Sequence, residues 1–304
     1  MIVNPQAGRG RGASAGEKAR RILESAGVQT ELALCGSPDE TRAAAERAAK
    51  EERAAAAVCG GDGSAHAAAN ALAHTNTALA LIPAGRANDF ARAMGIPDDA
   101  ERAAQLIARH FKEKKENGGE RGMNAEIRQV DLGNVNGTRF CTVAAFGIDA
   151  HISRETRRSG RSYLLTAVRQ AWTYRHISVH IRGDFGKRRL EATLCAAANT
   201  AVYGKRFQIA PGAETEDGLL NVCLIGRTSR FERLRLIALM TRGAHVGRSN
   251  VEMLTTSALH IETEEPQSVY ADGEPAAETP ASFKVERGAL LVLAARRASW
   301  HHNA

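Results

Sequence analysis

Three short glycine-bearing segments hold the residue types best suited to phosphate chemistry. The first is Asn4-Pro5-Gln6-Ala7-Gly8, continued by Arg9-Gly10-Arg11-Gly12. The second is Gly60-Gly61-Asp62-Gly63-Ser64. The third is Pro83-Ala84-Gly85-Arg86-Ala87-Asn88-Asp89-Phe90. Glycine permits positive φ and lets backbone N–H groups approach phosphate oxygens. Asp62 sets a carboxylate inside a glycine turn, where it suits a metal contact or a base acting on a hydroxyl. The G-x-x-x-x-G-K-[ST] pattern is absent. Gly8 to Ala13 fits G-x-G-x-x-A, with Glu31 near the ribose position. Asn4-Pro5 interrupts the strand-to-glycine turn of that pattern, however, and Asp62 is left unexplained by it.

The surrounding elements place all three segments at one edge. Ile2-Val3 starts a strand. Ser14 and Glu17 read as a capping box opening a helix that ends before Gly27. Val28 to Leu34 reads as a strand. Ser37, Pro38 and Glu40 open an Ala-rich helix running to about Arg53. Ala54 to Cys59 and Ala78 to Ile82 read as buried strands. Asp98 and Glu101 open a helix to about His110. This order implies a parallel sheet covered on both faces, with ligands beyond the carboxyl ends of its strands. One glycine turn alone is ordinary punctuation. Three of them following three strands of one sheet mark a binding edge.

After a charged stretch, residues 112–124, read as a solvated loop and hinge, the periodicity changes. Ile177, Val179 and Ile181 alternate with polar residues, as a half-buried strand requires. Leu190 to Ala198, Leu219 to Ile225, Leu259 to Glu262 and Leu290 to Ala294 also read as strands. Helices are expected over Arg161 to Tyr174 and from Ser229-x-x-Glu232 to Gly243. The fold class is therefore α/β plus β: a parallel-sheet domain with a ligand-binding edge over 1–124, then a mostly antiparallel β-sandwich over 125–294. The tail 295–304 is a candidate to rejoin the first domain.

Together the three segments resemble the signature of the diacylglycerol kinase catalytic domain, and of its soluble bacterial lipid kinases in particular. Gly60-Gly61-Asp62-Gly63 is shared with NAD kinases and phosphofructokinases; Asn88-Asp89-Phe90-Ala91-Arg92 is particular to the lipid kinase branch. Asp131-Leu132-Gly133, Phe146-Gly147-Ile148-Asp149, Ala210-Pro211, Asp217-Gly218-Leu219-Leu220 and Asp272-Gly273-Glu274 extend the likeness over nearly the whole chain. It implies ATP and Mg²⁺ as cofactors. Asn4, Pro5, Gly8, Cys35, Gly60, Gly61, Asp62, Gly63, Ser64, Gly85, Arg86, Asn88 and Asp89 would bind the nucleotide. Asp62, Asp272 and Glu274 would serve catalysis, with Glu274 as general base. Glu214, Asp217 and the carbonyl of Leu219 would form a structural divalent cation site. By their residue types alone, Asp217-Gly218 and Asp272-Gly273 also read as hairpin turns. The family carries Thr or Ser at the position of Arg86 and Thr at that of Cys35. Ser64 keeps the hydroxyl of its usual Thr.

Composition sets the outer limits. With 43% hydrophobic and 25% charged residues among 304, the chain is a globular protein of about two domains. No apolar run approaches the roughly 18 residues of a spanning helix, and the first residues show no secretory signal. The five cysteines are odd in number and form no C-x-x-C pair, which fits reduced thiols and a cytoplasmic location. Ten histidines include no H-E-x-x-H pattern, so no zinc site is expected. The net charge is +7, and aromatics are only 5%, which disfavours base stacking and hence nucleic acid. The expected activity is transfer of phosphate from ATP to a hydroxyl of diacylglycerol or a related lipid, in phospholipid metabolism. A lipid substrate would be met at the inner face of the membrane, peripherally. Arg154, Arg157, Arg158, Arg161, Arg169 and Arg175, around one helix, are the candidate headgroup contacts. Two readings stay open beside it: a kinase for a soluble nucleotide or sugar, and an inactive nucleotide-binding regulatory module. Assembly as a homodimer is open as well.

Overall fold

The computed structural model describes residues 1–117, 125–148, 152, 155, 163–205 and 207–296. The chain divides into two compact units, Met1–Val130 with Leu290–Ala304, and Asp131–Ala289. Asp149, Arg154, Arg157, Arg158, Arg161 and the end of the tail fall outside the described residues.

The first unit is built on parallel strands β1 (Ile2–Val3), β2 (Ala33–Leu34), β3 (Ala55–Gly60) and β4 (Ala78–Pro83). Their spatial order is β2-β1-β3-β4. The end of the long strand β18 (Ala281–Ala295) joins beside β4, with Val292 opposite Leu79. The order reverses between β1 and β3, which makes their carboxyl ends the crevice of the sheet. Asn4 and Gly61 leave the sheet at those ends. Both faces of the strands are buried, as near-continuous apolar runs require. Val3, Ala57, Cys59, Ala80 and Ile82 pack against Ala19, Leu23, Ala104 and Ile107. The last four belong to helices α1 (Gly12–Ser25) and α5 (Ala100–Asn117). A Cβ on Gly16 would lie 2.6 Å from Val3, so glycine brings α1 close to the sheet.

Helix α2 (Pro38–Lys50) starts as its sequence dictates: the Ser37 hydroxyl accepts from the Glu40 N–H at 3.2 Å, and Pro38 takes the first turn. Two other helix starts differ from expectation. Helix α1 begins at Gly12, so Ser14 lies inside it, and Glu17 pairs with Arg20 and Arg21 instead of closing a capping box. The α5 start is capped by Asp99, whose carboxylate accepts from the Arg102 N–H at 2.9 Å; Asp98 pairs with Arg92. The same helix runs on through Lys112 to Asn117, where a loop was expected. Strand β2 is also shorter than the expected Val28 to Leu34.

The second unit is antiparallel. One sheet has the order β14-β13-β10-β7-β16-β17, from Val251–Thr256, Leu220–Ile225, Leu194–Ala198, Val143–Gly147, Ser268–Ala271 and Glu274–Glu278. The other pairs β9 (Gly186–Ala192) with β8 (Ile177–Gly183), β8 with β15 (Ala258–Thr263), and β15 with the first residues of β18; β5 (Ala125–Val135) also pairs with β6 (Thr138–Phe140), and β11 (Val202–Tyr203) with β12 (Phe207–Gln208). Phe146, Ile181, Val222, Leu259 and Phe283 share one core, as in a two-layer sandwich. Leu190 to Ala198 is two strands rather than one. The chain changes sheets at Thr193, whose N–H donates to the Ile225 carbonyl at 2.7 Å. Helices α6 (Tyr163–Thr173) and α7 (Arg230–Met240) belong to this unit; α7 opens with the expected Ser229–Glu232 capping box. All five cysteines are buried, and none is joined in a disulfide.

Candidate functional site

The three glycine segments are tied to one another residue by residue. Asn4 donates its backbone N–H to the Cys59 carbonyl at 2.9 Å, and its side-chain oxygen accepts from the Gln6 N–H at 2.9 Å. Its Nδ2 reaches the Ser64 hydroxyl at 3.3 Å. Pro5, half-buried, follows in the same turn. Gly8 has φ 60°, and a Cβ there would stand 2.3 Å from the Ala84 carbonyl. Two requirements, the backbone angle and the close approach to the third segment, therefore select glycine at that position. A Cβ on Gly85 would fall 2.5 Å from the Gly61 Cα, so the second and third segments touch glycine to glycine.

Asp62 is the central fastener. Its Oδ2 accepts the Asn88 N–H at 2.8 Å and its Oδ1 the Asp89 N–H at 2.6 Å. The carboxylate thus caps the start of the short helix α4 (Asp89–Ala93), where negative charge is favoured. Asn88 sits at φ 54° and folds its own loop: its Oδ1 accepts from the Gly85 N–H at 3.0 Å. Phe90 is buried and wedges α4 in place.

The start of helix α3 (Asp62–Leu72) is left open by this arrangement. Its N-cap is Gly61, which offers no side chain, and nothing lies within 4 Å of a Cβ on Gly63 or Gly10. Backbone N–H groups in the first turn of a helix, reached by a glycine loop, form an anion site. Ser64 is buried in the first turn. The donor set fits a polyphosphate. Asp62 and Asp89 are the carboxylates of these segments, and Mg²⁺ is commonly held by one or two carboxylates plus phosphate oxygens.

Arg86 is exposed and forms no ion pair with Asp62 among the described residues. Cys35, following β2, is buried, and burial pushes its thiol up. A cavity of about 690 Å³ in the same unit lies at the amino ends of the strands, lined by Met1, Val28, Ala55 and Phe111, and holds none of these loops.

In the second unit, Asp272 and Gly273 have φ 51° and 82° and turn β16 into β17. This is a tight hairpin, with Ala271 opposite Glu274. Asp272 is spoken for: its carboxylate accepts from the Cys141 and Thr142 N–H groups at 2.8 Å each, and from the Thr142 hydroxyl. Glu274 follows at the first position of β17, half-buried, on a turn that Asp272 makes rigid.

Glu214 and Asp217 are exposed and Leu219 half-buried. The Asp217 Oδ1 accepts from the Leu219 N–H at 2.9 Å. Among the described residues, no three His, Cys, Asp or Glu side chains converge on a metal position. The residue that fastens this loop is Asp131. It is buried, and its two oxygens accept from the Gly218 and Gly288 N–H groups at 2.7 Å each. Its own N–H donates to the Thr215 carbonyl at 2.7 Å. Sequence reasoning gave Asp131 no role; the signal available was a carboxylate set between Val130 and Leu132. Asp131→Ala leaves two N–H donors unpaired at a cost of about 1–3 kcal/mol each. The melting temperature is expected to fall by about 5–10 °C. An unchanged melting curve would remove the clamp.

Comparison with known proteins agrees with this geometry. Residues 1–118 match the diacylglycerol kinase catalytic domain, and residues 142–294 match the YegS C-terminal NAD kinase beta sandwich-like domain. The chain is 31% identical over 307 residues to the diacylglycerol kinase of Mycobacterium tuberculosis H37Rv, covering 97% of this chain and 94% of the relative. It is 26% identical over 293 residues to that of Bacillus subtilis, covering 93% and 91%. A crystal structure of a diacylglycerol kinase from Bacillus anthracis superposes with a TM-score of 0.74 at 23% identity, over 96% of this chain and 95% of that one. With the glycine segments, Asp62 and the antiparallel second unit each in place, the chain belongs to the diacylglycerol kinase catalytic-domain family of lipid kinases.

Proposed function

We propose that this kinase transfers the γ-phosphate of ATP to a hydroxyl of diacylglycerol or a closely related lipid, with Mg²⁺. The observation that carries the reading is the interlocked set of glycine segments, fastened by Asp62, around the uncapped start of α3. The relatives named diacylglycerol kinase support the acceptor class. Bound Mg²⁺ would neutralise charge developing on the phosphate oxygens. The chain's own residues supply positioning. Backbone N–H groups of Gly61 to Ser64 would hold phosphate oxygens, Asn4 orients the Ser64 hydroxyl, and Asp62 keeps α4 in register. Glu274 would take the proton of the attacking lipid hydroxyl. Asp272 is a positioning residue that fixes the Glu274 turn.

The acceptor class is tested by supplying labelled ATP with diacylglycerol, a sphingoid base, phosphatidylglycerol, NAD or a sugar, and separating the products. Label in phosphatidic acid is expected. Label only in NAD or a sugar would transfer the reading to a soluble acceptor.

Arg86 replaces a hydroxyl donor with a planar fork of five donors and a fixed charge. Being exposed beside Gly85, it is free to turn toward a phosphate. Arg86→Thr is expected to weaken ATP binding and flatten its salt dependence, as measured by calorimetry at low and high salt. Tighter binding or faster turnover in the variant would show that the arginine obstructs the site.

A further inference from the structure

Helices α6 and α7 present an unusual combination of groups to solvent. On α6, Leu165, Val168 and Trp172 are 67%, 45% and 45% exposed. Their i, i+3, i+7 spacing puts them on one face, with Arg169 at its edge. On α7, Phe231 is 75% exposed and shares a face with Leu234, Arg235 and Ala238, the last two also exposed. The Trp172 and Phe231 rings meet edge to face at 5.7 Å, joining the two faces into one patch. The opposite side of α7 is satisfied within the unit, since Leu236 and Met240 are buried in its core. The exposed side is therefore not surplus core surface awaiting its own domain.

We propose that this patch is the surface by which the second unit docks on an anionic lipid bilayer. Contiguous exposed apolar surface marks an interaction site. Aromatic and leucine side chains flanked by arginine form the composition of interfacial helices. The exposed Arg169, Arg175, Arg230, Arg235 and Arg242 form no ion pairs among the described residues. Each can meet an anionic headgroup. Helix α6 carries no carboxylate, and the single one on α7, Glu232, accepts from the Ser229 N–H at 2.7 Å to close the capping box. A second copy of the chain fits less well, because a self-complementary contact would set arginines against arginines. The choice of occupant rests on the reading that the acceptor is a bilayer lipid. Among the described residues, no helix is long and apolar enough to cross the membrane, so docking would be peripheral.

The chain contains two tryptophans, Trp172 and Trp300. In a full-length Trp300→Phe background, Trp172 reports on its own surroundings. Vesicles of phosphatidylcholine with phosphatidylglycerol should shift its emission to the blue, and brominated lipid should quench it. Phe231→Glu should weaken vesicle co-sedimentation by at least about tenfold. Turnover on a monomeric, short-chain diacylglycerol should be unchanged. Arg169→Glu with Arg235→Glu should abolish the preference for anionic over neutral vesicles. Unshifted Trp172 emission, or unaltered sedimentation of Phe231→Glu, would overturn the proposal. So would a dimer that Phe231→Glu converts to a monomer without change in vesicle binding. The binding arms need no catalysis, so docking without lipid phosphorylation would defeat the kinase reading and leave the surface standing. Phosphorylation of the monomeric lipid with no docking would do the reverse.

Discussion

Asp62→Asn is expected to lower turnover by at least about 100-fold in a chain that still folds. The reason lies in what the carboxylate holds. Both oxygens accept backbone N–H groups, from Asn88 and Asp89. Asparagine keeps one acceptor and turns an NH₂ group toward the other donor. A charge-assisted hydrogen bond is lost, worth about 1.5–3 kcal/mol. That is small against a 304-residue chain but large against the five residues of α4. The third glycine segment then loses its register against the second, and the phosphate cradle with it. ATP affinity should fall alongside kcat, because positioning of the nucleotide is impaired. If Asp62 also contacts Mg²⁺, the residual rate should need more Mg²⁺ to saturate; if it only positions, the Mg²⁺ dependence should be unchanged. Steady-state rates, with circular dichroism to confirm folding, decide the matter. Normal turnover in the folded variant would remove Asp62 from the site.

Glu274→Gln is expected to behave differently. The substitution preserves shape and keeps the Asp272-Gly273 turn, whose positive φ values and fixed carboxylate lie outside the changed group. Only the ability to accept a proton is removed. A general base contributes about 10² to 10⁴ in rate. The kcat should fall by that factor, with ATP affinity by calorimetry nearly constant. The contrast with Asp62→Asn is therefore a split between kcat and binding. Lost ATP affinity with unchanged kcat would make Glu274 a binding group.

The glycine segments were legible because few residue types satisfy positive φ and backbone-to-backbone contact. Gly8, Gly61 and Gly85 each meet such a demand in the structure. The Ser37 cap was legible because all its parts lie within four residues. Ser14 and Glu17 have the same local pattern, yet α1 starts earlier. Gly12 there packs where a Cβ would stand 2.0 Å from the Asn4 carbonyl, a contact made by the fold of the first loop and not by helix chemistry. The charged run from Lys112 looked like a loop because its apolar stripe stops at Phe111, while the helix hydrogen bonds continue to Asn117. The change of sheet at Thr193 left no mark in periodicity, since β9 and β10 are each ordinary strands. The partners of Asp62, Asp131 and Asp272 were invisible for one shared reason. Each carboxylate accepts from backbone N–H groups, which every residue type but proline carries, at separations of 26 to 157 residues.

The most direct measurement follows γ-labelled phosphate from ATP into diacylglycerol in mixed micelles with Mg²⁺. Wild type and Glu274→Gln are compared at ATP concentrations that saturate both. The account predicts labelled phosphatidic acid from the wild type, and a rate at least about 100-fold lower from the variant. ATP binding by the wild type with no label in any lipid would contradict it.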